Sequence, residues 1–175
     1  MTLLTRAAPT VVLVRRGLVA LTVIGILATA FELAAARHWN EWQQLIPWAA
    51  LLALAAAVAL LALPGGRSTT AARVLALLVL GASAYGVLEH LLVNVGSGPH
   101  DQRYADTWQS FSLFERGWYA LTGTVGSAPP LAPGVLGQTS LLLLLASICH
   151  PRRPGDGEDG PDTRGGGRSA FSGSG

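Results

Sequence analysis

The chain has 175 residues, half of them hydrophobic and 13% charged, with a mean hydropathy of +0.43 and a formal net charge of +2. That is about half the charged content of an ordinary soluble domain, so the composition is that of a membrane protein. The 12 basic residues, all arginine, are spread between apolar segments, which argues against nucleic-acid binding; the single cysteine, Cys149, excludes an intrachain disulfide, a CxxC redox pair and a thiolate metal cage, and with them the four-span disulfide oxidases.

Residues 1–16 read as a cytoplasmic leader ending in Arg15-Arg16. Residues 17–36 are 20 positions with one charge, Glu32, long enough to cross a ~30 Å hydrocarbon core at ~1.5 Å per residue. A secretory signal peptide is the rival reading, with Ala34-Ala35-Ala36 as cleavage site. The apolar segments that follow favour a retained helix. A polar connection with Trp39 and Trp42 leads through Pro47 into a second, uncharged span at 45–63; indoles suit the membrane–water interface, and Pro47 suits a first helical turn. Pro64-Gly65-Gly66 ends that span, and a short basic loop carries Arg67 and Arg73.

The third span, 74–95, carries Glu89, His90 and Asn94 near its end, before Gly96-Ser97-Gly98-Pro99 breaks the helix. In the long connection at 96–130, Tyr104, Trp108, Phe111, Phe114, Trp118 and Leu121 recur at helical spacing. That predicts an amphipathic helix on the membrane surface or capping the bundle. SAPPLAP at 127–133 is a rigid entry into the fourth span, 131–149. Residues 150–175, rich in Gly, Pro, Asp and Arg, read as a disordered cytoplasmic tail. No internal repeat stands out. Nine arginines fall on one side of such a four-span chain and three on the other, which orients it with both termini in the cytoplasm. The expected fold is all-α: four transmembrane helices in an up-down bundle, an extracytoplasmic amphipathic helix and a disordered tail, in the bacterial cytoplasmic membrane.

Ionisable residues inside a span are costly and mark candidate sites. Glu32 and Glu89 fall roughly 7 and 10 Å below the outer ends of their helices at ~1.5 Å per residue. Ala82, Gly86, His90 and Asn94 form one stripe of the third span. Gly25, Thr29, Glu32 and Ala36 form one of the first. Spans one and three lie diagonally in an up-down bundle, so Glu32 is expected to meet Glu89 and His90 across the core in one outward-opening polar site, with Asn94 and His38 as candidate members. Three readings compete. The residues are interhelical hydrogen-bonding partners, worth about 0.6 kcal/mol on average. Or two neighbouring carboxyls share a proton and either bind a small ligand or drive transport, as the span-one Glu of small four-span multidrug transporters does. Or Glu32, Glu89, His90 and His38 hold a metal, although Glu89 and His90 point about 100° apart on a helix. Only His90 lies clearly inside a span, so a di-haem site is not expected, and Cys149 beside His150 reads as an ordinary juxtamembrane pair. No G-x-S-x-G or Ser–Lys arrangement is present, so neither an enzyme nor a bound cofactor is expected. The expected partners are the bilayer and a second copy or another membrane protein.

FELAAARHW at 31–39, WQQLIPW at 42–48, YGVLEHL at 85–91, DQRYADTW at 101–108 and VGSAPPLAPGVLGQ at 125–138 resemble an uncharacterised family of small bacterial membrane proteins. The resemblance covers about residues 15–150. It implies four spans in a bacterial cytoplasmic membrane and carries no activity or cofactor.

Overall fold

Glycine and proline mark most helix ends in the computed structural model, which describes residues 4–149. Helix α1 runs over Leu4–Ala35, α2 over Ile46–Ala62, α3 over Gly66–Ser97, α4 over Leu113–Leu121 and α5 over Ala132–Ile148, with no strand among the described residues. Pro47 and Pro133 stand in the first turns of α2 and α5, where a missing N–H costs nothing. Gly65, at φ +122°, makes the turn into α3. Single 3-10 turns occupy Trp42–Leu45, Gly98–His100 and Trp108–Ser110. Three stretches are long and apolar enough to cross a membrane: Pro9–Ala35, Trp42–Ala62 and Gly66–His100. Helix α5 is apolar but shorter, at 17 residues. The first helix begins at Leu4, well before the expected start at residue 17, and α3 begins at Gly66 instead of 74. The expected disordered tail, 150–175, lies outside the described residues.

The helices pack along seams with a 3-4 alternation, the spacing of left-handed bundles. Helix α3 buries Thr69, Ala72, Ala76, Val79 and Ser83; α2 buries Ala50, Leu54, Ala57 and Leu61; α5 buries Leu136, Ser140, Leu143 and Ser147. Small residues let the backbones approach closely, the usual basis of helix association in lipid. A Cβ placed on Gly25 would lie 2.6 Å from Thr139 Oγ1, and one on Gly137 2.7 Å from Ser83 Oγ. Buried hydroxyls are mostly satisfied within this packing. Thr22, Thr139 and Ser140 donate to carbonyls four residues earlier, and Ser83 Oγ donates to the Pro133 carbonyl at 2.6 Å.

Helix α5 packs mainly on α3 and α1, and α2 mainly on α3. Helices α1 and α3 lie on a diagonal, as expected, but the other diagonal is the one that closes. Helices α2 and α5 touch across the bundle, whereas α1 and α3 scarcely meet. Buried Ala50 and Ala57 on α2 and Ala146 on α5 keep both helices slim, and Gly137 turns its bare backbone to Ser83 of α3.

One end of the bundle is basic and the other aromatic and acidic. At the first, Arg15 Nη2 donates to the Leu61 carbonyl at 2.7 Å, and Arg73 donates through Nε to Ser147 Oγ and through Nη2 to the Ser147 carbonyl, both at 3.0 Å. Leu61 and Ser147 are the penultimate residues of α2 and α5, two helices of 17 residues that each have proline second. Each arginine therefore meets unpaired carbonyls and the negative end of a helix dipole. The hairpins α1–α2 and α3–α5 are latched in the same way, a parity of geometry that no sequence repeat announces. At the opposite end stand all five tryptophans, Trp39, Trp42, Trp48, Trp108 and Trp118, and every acidic residue among those described.

The periodic run from Tyr104 to Leu121 does not form one helix. It breaks at Ser112, which starts α4 with a capping box: Ser112 Oγ accepts from the Glu115 N–H, and the Glu115 carboxylate accepts from the Ser112 N–H at 2.8 Å. The first half of the run folds inward instead. Trp108, Ala120 and Val125 form a small second core, with Tyr104, Phe111, Tyr119, Leu91 and Val95 packed around it.

Candidate functional site

The polar groups of α3 converge on the loop that follows α4. Asn94 is fully buried at 0% exposure. Its Nδ2 donates to the Ala128 carbonyl at 2.7 Å and to the Ala120 carbonyl at 3.1 Å, and its Oδ1 accepts from the Ala128 N–H at 3.1 Å. One side-chain amide thus pairs with both backbone groups of Ala128 and with the last full turn of α4. Gly126, at φ +76°, carries the chain past that amide; a Cβ there would overlap Asn94 Oδ1. One turn earlier, His90 Nδ1 lies 2.8 Å from the Pro129 carbonyl. A carbonyl only accepts, so Nδ1 carries the proton, which in a neutral ring leaves Nε2 with a free lone pair.

The aromatic cap stands on this clasp. The Trp108 indole lies flat against Gly98, where a Cβ would overlap the ring. Tyr104 stacks on Tyr119 with centroids 5.2 Å apart, and Phe111 meets Tyr119 and Trp108 edge-on at 5.3 and 5.9 Å. These offset and edge-to-face geometries are the favoured ones for aromatic rings. Arg116 lies over the Trp108 ring and donates to the Gln109 carbonyl at 2.8 Å. Asp101 takes a forked ion pair from Arg103, with Nε 3.0 Å from Oδ1 and Nη2 2.8 Å from Oδ2, and Arg103 also donates to the Thr124 carbonyl. The Arg103 guanidinium, through its hydrogen bonds first, holds the Asp101 carboxyl down to about 2. The Glu115 carboxyl is likewise lowered, chiefly by the Ser112 N–H.

Of the five candidate site residues, the fold brings together His90 and Asn94, both tied to the same loop. Glu89, next to His90, is exposed on α3. Glu32 is exposed on α1, which packs on α5 and α2. His38 is half-buried and takes part through its backbone: its carbonyl accepts from the Trp48 indole at 2.8 Å. Among the described residues no three His, Cys, Asp or Glu side chains come together to hold a metal ion.

The latches also assign levels to the two acids. Helix α2 climbs ~22 Å from Leu61 to its start, and α1 climbs ~25 Å from Arg15 to Glu32, so Glu32 stands near the level where α2 begins. The same arithmetic from Arg73 and Ser147 puts Glu89 where α5 begins. Between these levels the helices carry no charge except Arg16, next to the Arg15 latch. Helix α3 runs on past the level where α5 begins, to Ser97. Both acids sit at the rim of an uncharged band ~25 Å thick. A concavity of about 810 Å³ lies at the other end of α3, lined by Gly66, Arg67, Thr70, Ala71, Val74 and Leu75, far from these residues.

Three features escape a reading of the sequence. Arg15 and Arg73 look like ordinary flanking charges, yet each latches a hairpin. The cap core of Trp108, Tyr104, Phe111 and Tyr119 hides inside a helical periodicity; the Ser112-Leu113-Phe114-Glu115 capping box was the legible sign of the break. Gln138 looks like one polar residue in an apolar helix until its face is known. Compared with known proteins, the chain matches no family model, no curated protein and no solved structure.

Proposed function

We propose that this chain is a four-span integral membrane protein of the bacterial cytoplasmic membrane, with both termini cytoplasmic. It serves as a structural or accessory component that presents a rigid aromatic cap on the extracytoplasmic side. Helices α1, α2, α3 and α5 are the spans; α5, at ~25 Å, is short for a ~30 Å core but matches α2 and the uncharged band. The arginine-latched end is the cytoplasmic one, by the arginine bias, and the tryptophan end meets the outer interface. The observation that carries the functional reading is the use made of Asn94 and His90. Both costly polar groups hold the cap loop to α3, a positioning task. The resemblance to small bacterial membrane proteins supports the architecture alone.

Proton-coupled transport through Glu32 and Glu89 is the rival reading. It draws no support from two exposed carboxylates on helices that scarcely meet. Reconstituted protein carrying Glu32→Gln and Glu89→Gln decides between them. The accessory reading expects proton release and substrate flux in proteoliposomes equal to the parent's; a proton-coupled flux lost in either variant overturns it. Reporters fused after Leu63 and Val95 should signal from the cytoplasm and from outside, respectively.

A further inference from the structure

Gln138 stands apart from every other polar side chain in the uncharged band. It is nine residues from Ser147, the level of the Arg73 latch, and six from the start of α5, which puts it ~9 Å below the rim. It is exposed and makes no hydrogen bond to the described residues. The band's hydroxyls at Thr22, Thr29, Ser83, Thr139 and Ser140 are all buried between helices, and Tyr85, the other exposed polar side chain, lies nearer the rim. A primary amide with two donors and an acceptor finds no partner in acyl chains, and leaving it unpaired costs several kcal/mol in hydrocarbon.

The surroundings of Gln138 indicate what covers it. Leu131, Gly134, Gln138, Leu141, Leu145 and Ile148 follow one another at spacings of 3, 4, 3, 4 and 3 along the outward face of α5. Leu131, Leu141, Leu145 and Ile148 are each about half exposed or more, and a Cβ on Gly134 would meet nothing within 4 Å. This is a second helix-packing seam, of the same period as those inside the bundle, with none of the described helices against it.

We infer that a second copy of this chain packs on that seam, α5 against α5 and parallel, with the two Gln138 amides hydrogen-bonded across a two-fold axis normal to the membrane. Two features select a second copy over an unrelated partner. An amide is self-complementary, each donating to the other's oxygen. Copies inserted with the same topology bring Gln138 to the same depth without further adjustment, as an isologous interface requires. Gly134, one turn nearer the rim, lets the helices close. A single polar residue in an otherwise apolar seam sets register and partner number, as it does in coiled coils. The inference rests on α5 being a span.

Cysteine cross-linking in native membranes, in a Cys149→Ser background, tests it. Gln138→Cys, Leu141→Cys and Leu145→Cys should each give a species of doubled mass on mild oxidation. Leu52→Cys on α2 and Leu78→Cys on α3, both exposed off the seam, should not. In the Leu141→Cys reporter, adding Gln138→Leu should weaken the dimer about 3- to 30-fold on dilution into lipid, and adding Gln138→Asn should largely restore it. No cross-link along the seam, equal cross-linking at all five positions, or a Gln138→Leu variant that dimerises as tightly as the parent overturns the inference. A membrane-impermeant thiol reagent applied to Leu145→Cys separates the two levels of failure. Labelling means that α5 is not a span and the four-span reading falls as well; protection without cross-linking sinks the pairing alone.

Discussion

Asn94 is the residue whose loss the cap can least accommodate. Replacing it with Leu keeps the volume but strips partners from the Ala128 N–H and from the Ala120 and Ala128 carbonyls. Unsatisfied groups of this kind cost roughly 1–3 kcal/mol each, so a net loss of about 3 kcal/mol is expected. The loss should appear as early protease cleavage between α4 and α5, with α1, α2, α3 and α5 still intact. Gly126→Ala should act through the same contact, since φ +76° strains any other residue and the new Cβ overlaps the amide. The Asp101–Arg103 pair adds a pH dependence. The folded-state pKa of Asp101, about 2, lies below the ordinary carboxyl value of 3.8. The pair's contribution is therefore complete above about pH 4 and is lost as pH falls through about 2. Tryptophan fluorescence should report loosening of the cap in that window, and the component due to this pair should be absent from Asp101→Asn.

At the scale of elements, α4 shows how a local signal overrides a longer one. The aromatic spacing from Tyr104 to Leu121 suits a single helix, but Ser112 and Glu115 start a new one in the middle. The two halves then serve different surroundings. Tyr104, Trp108 and Phe111 turn into the cap core, whereas Phe114 and Trp118 remain exposed at 80% and 55%. Ser112→Ala removes the cap of α4, and its amide protons should exchange about five-fold faster, with α3 and α5 unaffected. The small-residue seams work at the same scale. Gly25→Val forces Thr139 aside, and the separation of α1 from α5 should cost about 1–3 kcal/mol, read as a lower melting temperature in detergent.

Across the whole molecule, the latching arginines and the aromatic residues are sorted to opposite ends, and the arginines tie helices together. Each anchors the C-terminus of a 17-residue helix: Arg15 for α2, Arg73 for α5. Arg73→Ala should cost about 1–2 kcal/mol through the lost dipole and carbonyl contacts. Arg15→Ala should cost a similar amount, and the two losses should add because the latches share no partner. Helices α2 and α5, held from one end and equal in length, close the diagonal of the bundle. That closure keeps α1 from α3 and leaves Glu32 and Glu89 on separate exposed faces.

The sequence by itself determined the helical class, the apolar segments, the proline and glycine helix ends and the one-sided placement of arginine and tryptophan. All of these follow from local hydropathy, backbone preference and side-chain solvation, which need no knowledge of neighbours. Only the tertiary structure decided which diagonal of the bundle closes, because that depends on how low two facing surfaces lie. It also decided the level of Glu89, since that is set by the end of α5 and not by the end of its own helix. His90 and Asn94 were legible as a polar cluster; their partners, backbone groups 26 to 39 residues away, were not. A backbone carbonyl or N–H has no sequence signature, so a side chain that binds one is recognised only when the fold brings it there.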